Sequence, residues 1–273
     1  MTILAPPSAS TLTTADGFTL TSRSWVHPDP RALVVLVHGF AASADDPAVV
    51  RQAEALHAAG FGVLTYDSRG HGDSDGLCTI GDLESRDVAA AVEAVRASAG
   101  APPVPEVPVI VLGASMGAIA ALRYAATTER PPAGVVCVSS PSRWRAPRTA
   151  RGVVAAAITR TAFGRFMAAR YLRVRIDPQW ANPEPPHALM GRIQVPMAIV
   201  HGDRDRFILS SEAVELYDAC QSARRLTLVP EMGHAFDRAG VDPIRAAAEW
   251  VLSVGTADEK RSGRSHPRFT FHQ

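Results

Sequence analysis

Val109-Ile110-Val111-Leu112-Gly113-Ala114-Ser115-Met116-Gly117 is the stretch on which the fold of this chain turns. The four aliphatic residues at its start form an unbroken apolar run, the pattern of a strand buried on both faces. An alanine-rich helical pattern follows over 118–126, so the Gly-Ala-Ser-Met-Gly string lies at a strand-to-helix junction. A serine on such a strained turn lifts its hydroxyl above the sheet, and the residues two before and two after it must be small because backbone segments approach closely. Gly113 and Gly117 meet that need.

Outward from this junction, strand and helix alternate. Residues 17–26 alternate apolar and polar as an edge hairpin would, and Leu33–Val37, Gly62–Tyr66, Gly134–Val138, 197–200 and 226–229 read as buried strands. Helices are expected over 46–59, with Asp45 or Asp46 at the start and Gly60 at the stop, and over 82–99, with Asp82 as cap. Two more are expected near 211–220 and 244–251, and the Pro-rich 101–108 turns the chain. This βαβ rhythm implies an α/β fold with a mostly parallel central sheet and helices on both faces. Residues 141–192 carry no strand pattern and read as an excursion over the sheet; residues 1–255 form one domain, and the polar 256–273 reads as a disordered tail.

A serine hydroxyl needs a base to take its proton and a third group to orient that base. His201-Gly202-Asp203-Arg204-Asp205 follows one strand and Pro230-Glu231-Met232-Gly233-His234 the next. Carboxyl ends of parallel strands share one edge of a sheet, so Ser115, the two aspartates and His234 can converge from three strands.

Composition narrows the remaining classes. With 273 residues the chain builds a full core without staples, and with 20% charged residues and a net charge of +1 it is not a nucleic-acid-seeking protein. Cys78, Cys137 and Cys220 form no CxxC pair and read as reduced core thiols. The start of the chain lacks a basic residue before its apolar stretch, and no run is long enough to span a membrane, which points to the cytoplasm. No HExxH, Cys/His cluster or phosphate-binding glycine loop occurs, so neither a metal nor another cofactor is expected.

Five strings in order carry a resemblance: His38-Gly39-Phe40, Tyr66-Asp67-Ser68-Arg69-Gly70-His71-Gly72-Asp73-Ser74, Gly113 to Gly117, Gly202-Asp203-Arg204-Asp205 and Gly233-His234. Spanning about 17–252, they make the chain resemble the α/β-hydrolase fold superfamily, and within it the capped esterase, lipase and monoacylglycerol-lipase-like branch. The resemblance implies Ser115 as nucleophile, His234 as general base and Asp205 as its orienting acid, because the family places the acid three residues beyond the glycine. Asp203 remains the competitor. It also implies an oxyanion hole from the backbone N–H groups of Met116, at a helix N-terminus, and Phe40.

The activity so implied is cleavage of a carboxylic ester or thioester, a small-molecule substrate, through an acyl-Ser115 intermediate. The alternatives are an acyltransferase or thioesterase acting on acyl-CoA-like anionic substrates, a serine aminopeptidase, or a non-catalytic ligand-binding member. The oxyanion turn His38-Gly39-Phe40-Ala41-Ala42 departs from the His-Gly-Gly-Pro-Gly of proline iminopeptidase relatives, which argues against the peptidase. His38, His71 and His201 each neighbour glycine and read as structural; His38, nearest the oxyanion loop, is a candidate substrate contact.

The 141–192 segment reads as a short helical cap with ten arginines against Asp177 and Glu184, a charge of about +8. Such a cap would favour anionic substrates, or would simply be a solvated basic face. If 153–172 is one helix, Arg160, Arg165 and Arg170 fan around its axis, which argues against a membrane-surface role. Arg170 then falls among Phe163, Phe166 and Met167, so it either snorkels from an apolar contact surface or reaches into the substrate pocket, whereas Trp144, Tyr171 and Trp180 read as packing.

Overall fold

The computed structural model describes residues 7–98 and 107–261, with side chains through Gly255. The aliphatic runs form strands β3 (Leu33–Val37), β4 (Gly62–Tyr66), β5 (Val109–Ala114), β6 (Gly134–Val138), β7 (Met197–Gly202) and β8 (Arg224–Val229). With β1 (Ser8–Thr13) and β2 (Thr19–Trp25) they make one eight-stranded sheet of order β1-β2-β4-β3-β5-β6-β7-β8. The β1–β2 and β2–β4 pairs are antiparallel, and all others are parallel. The fold is α/β, as the βαβ rhythm requires.

Successive side chains of a strand point to opposite faces, and both faces here are dry. Val35, Val37, Val111, Val135 and Ile199 pack beneath α2 (Glu84–Ser98), α3 (Met116–Thr127) and α7 (Ser210–Ala219). Val34, Leu36, Ile110, Leu112 and Val136 pack against α1 (Pro47–Ala58) and α8 (Val241–Arg261). Each fully buried aliphatic side chain contributes roughly 1.5–3 kcal/mol, so the two layers fix the sheet and the edge on which the loops gather.

Three local expectations are corrected. Asp46 does cap α1, its carboxylate accepting the Ala48 N–H at 2.8 Å. Asp82, by contrast, does not cap α2 with its side chain but pairs with Arg123 (3.2 Å). Thr79 Oγ1 accepts the Leu83 N–H, and the buried Glu84 carboxylate accepts the Thr79 and Gly81 N–H groups. The edge hairpin uses 17–26 only for its second strand, and its turn lies at 14–18. The last helix runs on to Arg261, so the first six residues of the expected tail are helical; 262–273 and most of 101–108 lie outside the described residues.

Residues 141–192 leave the sheet after β6 and return before β7. They carry α4 (Ala150–Arg160), α5 (Ala162–Met167), a π-helical turn (Ala168–Leu172) and α6 (Pro186–Leu189). The cap is stitched to the loop after β4 by Cys78 N–H to Arg175 O (2.7 Å) and Arg175 N–H to Gly70 O (2.7 Å). Beneath it Cys78, Met116, Ala168, Val174 and Ile176 form a small apolar cluster. Among the described residues no helix is long and apolar enough to cross a membrane.

Candidate active site

Ser115 sits between β5 and α3 with φ 54° and ψ −117°, a left-handed conformation that a non-glycine residue adopts only when its surroundings impose it. Its N–H donates to Val138 O (2.9 Å), fixing the turn to the neighbouring strand. A Cβ on Gly113 or Gly117 would meet backbone atoms of Gly117 or of Val37 and His38 at well under 3.0 Å. The small residues of the motif are therefore demanded by the approach of β3, β5 and α3, as read from the sequence.

His234 lies in the loop after β8, and its Nδ1–H donates to Asp205 Oδ2 at 2.6 Å. The Asp205 side chain is fully buried, and its other oxygen accepts the N–H groups of Phe207 (2.8 Å) and Ile208 (3.0 Å). Burial alone would raise its carboxyl pKa, but the His234 bond and the two amides outweigh it and hold the group below its ordinary value. Asp203 is exposed, its N–H spent on Val229 O. Of the two aspartates, Asp205 is the one brought to the imidazole.

Ser115 and His234 line the same two cavities. The larger, about 610 Å³, lies under the cap between Ser115, Ile119, Trp144, Ala156, Trp180 and Phe207. The smaller, about 340 Å³, lies between α1 and the loop after His234, bordered by Asp46, Arg51, Phe236 and Asp237. Phe40 and Ser115 stand where both begin. Phe40 N–H and Met116 N–H have no hydrogen-bond acceptor among the described residues.

His38 is placed elsewhere than expected. It is fully buried and absent from both cavity walls; its Nδ1–H donates to Gly39 O (2.7 Å), and its Nε2 accepts the Ser68 N–H (3.0 Å). Burial holds it neutral, its pKa lowered, and burial likewise pushes its neighbour His71 down to about 3. Arg170 is also outside the cavities: it is exposed, with its guanidinium 5.2 Å over the Tyr171 ring. The chain leaves α-helical geometry at Ala168, two residues before Arg170, so the α-helical angle that aimed this side chain at the pocket does not hold.

Several site neighbours leave no motif in the sequence. His201, buried, donates Nε2–H to Ile208 O (3.1 Å) and stands 3.5 Å from Asp205 Oδ2. The Phe207 ring lies 4.9 Å from that of His234. Glu212 accepts the Ser142 N–H (2.8 Å) and pairs with Arg145 (2.6 Å), tying the start of the cap to α7. Glu215 takes Arg143 and Arg145 as well, so acids from outside the cap neutralise part of its charge. Among the described residues no group of three or more His, Cys, Asp or Glu side chains is placed to hold a metal ion.

Residues 28–188 match the profile of the Hydrolase_4 family, described as serine aminopeptidase, S33. No curated protein sequence matches the chain. Among solved structures, the Pyrococcus furiosus esterase Pf2001 is 22% identical, with 93% of this chain and 92% of that one covered and a TM-score of 0.65. XC6422 from Xanthomonas campestris, a serine hydrolase without a lid, is 21% identical over 97% of this chain and 100% of its own, with a TM-score of 0.60. Est1E from Butyrivibrio proteoclasticus, bound to ferulic acid, is 18% identical over 91% and 100%, with a TM-score of 0.63. The structural likenesses agree with the α/β fold; matched over more than half its length, the chain belongs to the Hydrolase_4 family of α/β-hydrolase-fold serine hydrolases.

Proposed function

We propose that the protein cleaves a carboxylic ester or thioester through an acyl-Ser115 intermediate. The observations that carry this reading are the His234–Asp205 bond at 2.6 Å and a serine held in a strained turn, with His234 and Ser115 lining the same two cavities. Asp205 takes the Nδ1–H, which leaves Nε2 unprotonated and able to accept the serine proton, and then to return it to the leaving group. Water, activated by the same nitrogen, releases the acid.

Two amides fit the developing oxyanion. Met116 N–H opens α3, where the helix dipole favours negative charge. The carbonyl and N–H of a trans peptide point in opposite directions, so a Gly39 carbonyl pinned on the buried His38 ring turns the Phe40 N–H the other way. His38 is thus a positioning residue for the turn, and each oxyanion donor contributes about 10²- to 10³-fold in rate.

Cavity chemistry favours an uncharged or anionic acyl group over a free amine. Glu212, a carboxylate on the larger wall, is committed to Ser142 and Arg145, while Arg148 and Arg160 on that wall have no carboxylate partner among the described residues. A cationic amino terminus would meet guanidinium groups there, which speaks against aminopeptidase activity despite the description of the family. Three buried free thiols support the cytoplasm as the compartment.

The test is labelling by a fluorophosphonate, expected for wild type and lost in Ser115→Ala, followed by turnover of p-nitrophenyl esters, acyl-CoAs and amino-acid p-nitroanilides. Folded wild-type protein that resists the probe would refute the nucleophile, and anilides turned over faster than esters would refute the ester reading. Adding competing alcohols separates the runner-up, acyl transfer, from hydrolysis.

A further inference from the structure

A single helix over 153–172 would spread its arginines around the axis, but the chain breaks at Thr161 (φ −102°, ψ 149°). Thr161 Oγ1 donates to Ala157 O (2.8 Å) and accepts the Gly164 N–H (2.9 Å), ending one helix and capping the next. Gly164 has no Cβ to collide with Ala157 and Ile158, so α5 folds back onto α4. The break regroups the side chains. Arg160 turns inward to Asn182 Oδ1 (2.7 Å) and over the Trp180 ring (5.2 Å), on the cavity wall.

What remains outside is apolar. Phe163 is 72% exposed, Phe166 63% and Tyr171 66%, and Val153, Val154 and Leu172 join them. Such a cluster on one short segment marks a surface that meets something other than water. Arg165 on α5 and Arg170 on the π-helical turn belong to the same segment as these side chains, and among the described residues neither has a carboxylate partner, whereas Arg148 lines the larger cavity and Arg151 lies 5.3 Å over the Phe207 ring on that cavity's wall. Arg143, Arg145, Arg173 and Arg192, by contrast, are all paired with acids.

We propose that the outer face of the cap docks on an anionic lipid surface, with Phe163, Phe166 and Tyr171 entering the interface and the unpaired guanidinium groups meeting headgroup phosphates. Aromatic and aliphatic side chains beside free arginines match the chemistry of an interfacial helix at a negatively charged bilayer. A second copy fits less well: a two-fold contact sets the same patch against itself and would bring guanidinium against guanidinium. The opposite face of α4, with Ala155, Ala156 and Thr159, lines the larger cavity, so docking would bring that cavity next to the lipid. The surface stands independently of the chemistry at Ser115.

Sedimentation of the full chain with phosphatidylcholine vesicles, and with vesicles one-quarter phosphatidylglycerol, tests this. Binding to the anionic vesicles that weakens with salt is expected, and Phe163→Ser with Phe166→Ser should weaken it at least about tenfold. Thermal melting of that variant should match wild type, since both side chains are exposed. Arg165→Glu with Arg170→Glu should abolish the preference for anionic over neutral vesicles without removing an apolar group. Failure to sediment with either vesicle would overturn the proposal, as would binding indifferent to lipid charge or to the serine substitutions. So would a dimer by light scattering that the serine substitutions dissociate while no vesicle is bound. Because the readout is protein in the pellet, a failed ester assay leaves it intact.

Discussion

Replacing Asp205 with asparagine exchanges one carboxylate oxygen for NH2, and the surroundings dictate which one. Oδ1 accepts two backbone N–H groups, from Phe207 and Ile208. Turning the NH2 toward them would leave buried donors facing donors, at about 1–3 kcal/mol for each unsatisfied group. The amide oxygen therefore stays on the backbone, and the NH2 takes the Oδ2 position, 2.6 Å from His234 Nδ1. Two donors cannot share that contact, so the imidazole must move its proton to Nε2, the nitrogen that has to be free to accept from Ser115. The shape of the site is kept and its proton logic inverted. A loss of about 10⁴-fold in kcat/KM follows, or roughly 5 kcal/mol of transition-state stabilisation. Initial rates on a short p-nitrophenyl ester measure it, with Asp203→Asn as the exposed control expected to stay within a few-fold of wild type. If Asp205→Asn keeps activity within tenfold of wild type, or if Asp203→Asn is the damaging change, the assignment of the orienting acid is wrong.

Three further outcomes follow from particular contacts. Gly117→Ala drives a Cβ into the carbonyl oxygens of Val37 and His38 and should destabilise the fold by about 1–3 kcal/mol or more in urea unfolding. Glu215, drawn by Arg145 and Ser142 from 4.5 to about 2, anchors the cap; a carboxyl lowered in the folded state stabilises above its unfolded pKa and loses that contribution as pH falls toward the folded one. Protection against hydrogen exchange in 142–160, taken relative to the intrinsic rate at each pH, should therefore be high at neutral pH, fall below about pH 4, and be low at neutral pH in Glu212→Gln with Glu215→Gln. Ala156→Phe partly fills the larger cavity and should shift the preferred acyl chain to shorter esters, at about 0.8 kcal/mol for each methylene excluded; an unchanged chain-length profile would place the acyl group elsewhere.

The sheet was legible where its chemistry is redundant. Strands such as Leu33–Val37 and Gly134–Val138 are apolar on both faces, and a parallel sheet covered by helices is what forces that pattern. Ser8–Thr13 was not legible, because an exposed edge strand of serine and threonine has no burial to report. The serine turn could be read because backbone crowding leaves glycine as the residue that fits beside it. Asp205 was preferred to Asp203 through the resemblance and its spacing from the glycine; the contacts that hold its carboxylate toward His234, the amides of Phe207 and Ile208, leave no mark in the sequence. The cap was misread through Thr161: its hydroxyl closes one helix and opens another, and periodicity alone treats threonine as one more helical residue. His38 follows the same rule, for its Nε2 is taken by the Ser68 N–H, thirty residues away, whereas Arg170 lies past the onset of a π-helical turn that periodicity does not announce.

The backbone at Ser115 has a consequence for how durable the protein is. Holding a side-chain-bearing residue at φ 54° and ψ −117° sets about 1–3 kcal/mol against folding, and glycine would relieve most of it. Ser115→Gly should therefore melt above the wild type while doing no chemistry, and Ser115→Ala, which keeps a Cβ, should not. Selection for heat resistance alone would tend to erode this turn, whereas selection for turnover would keep it under tension.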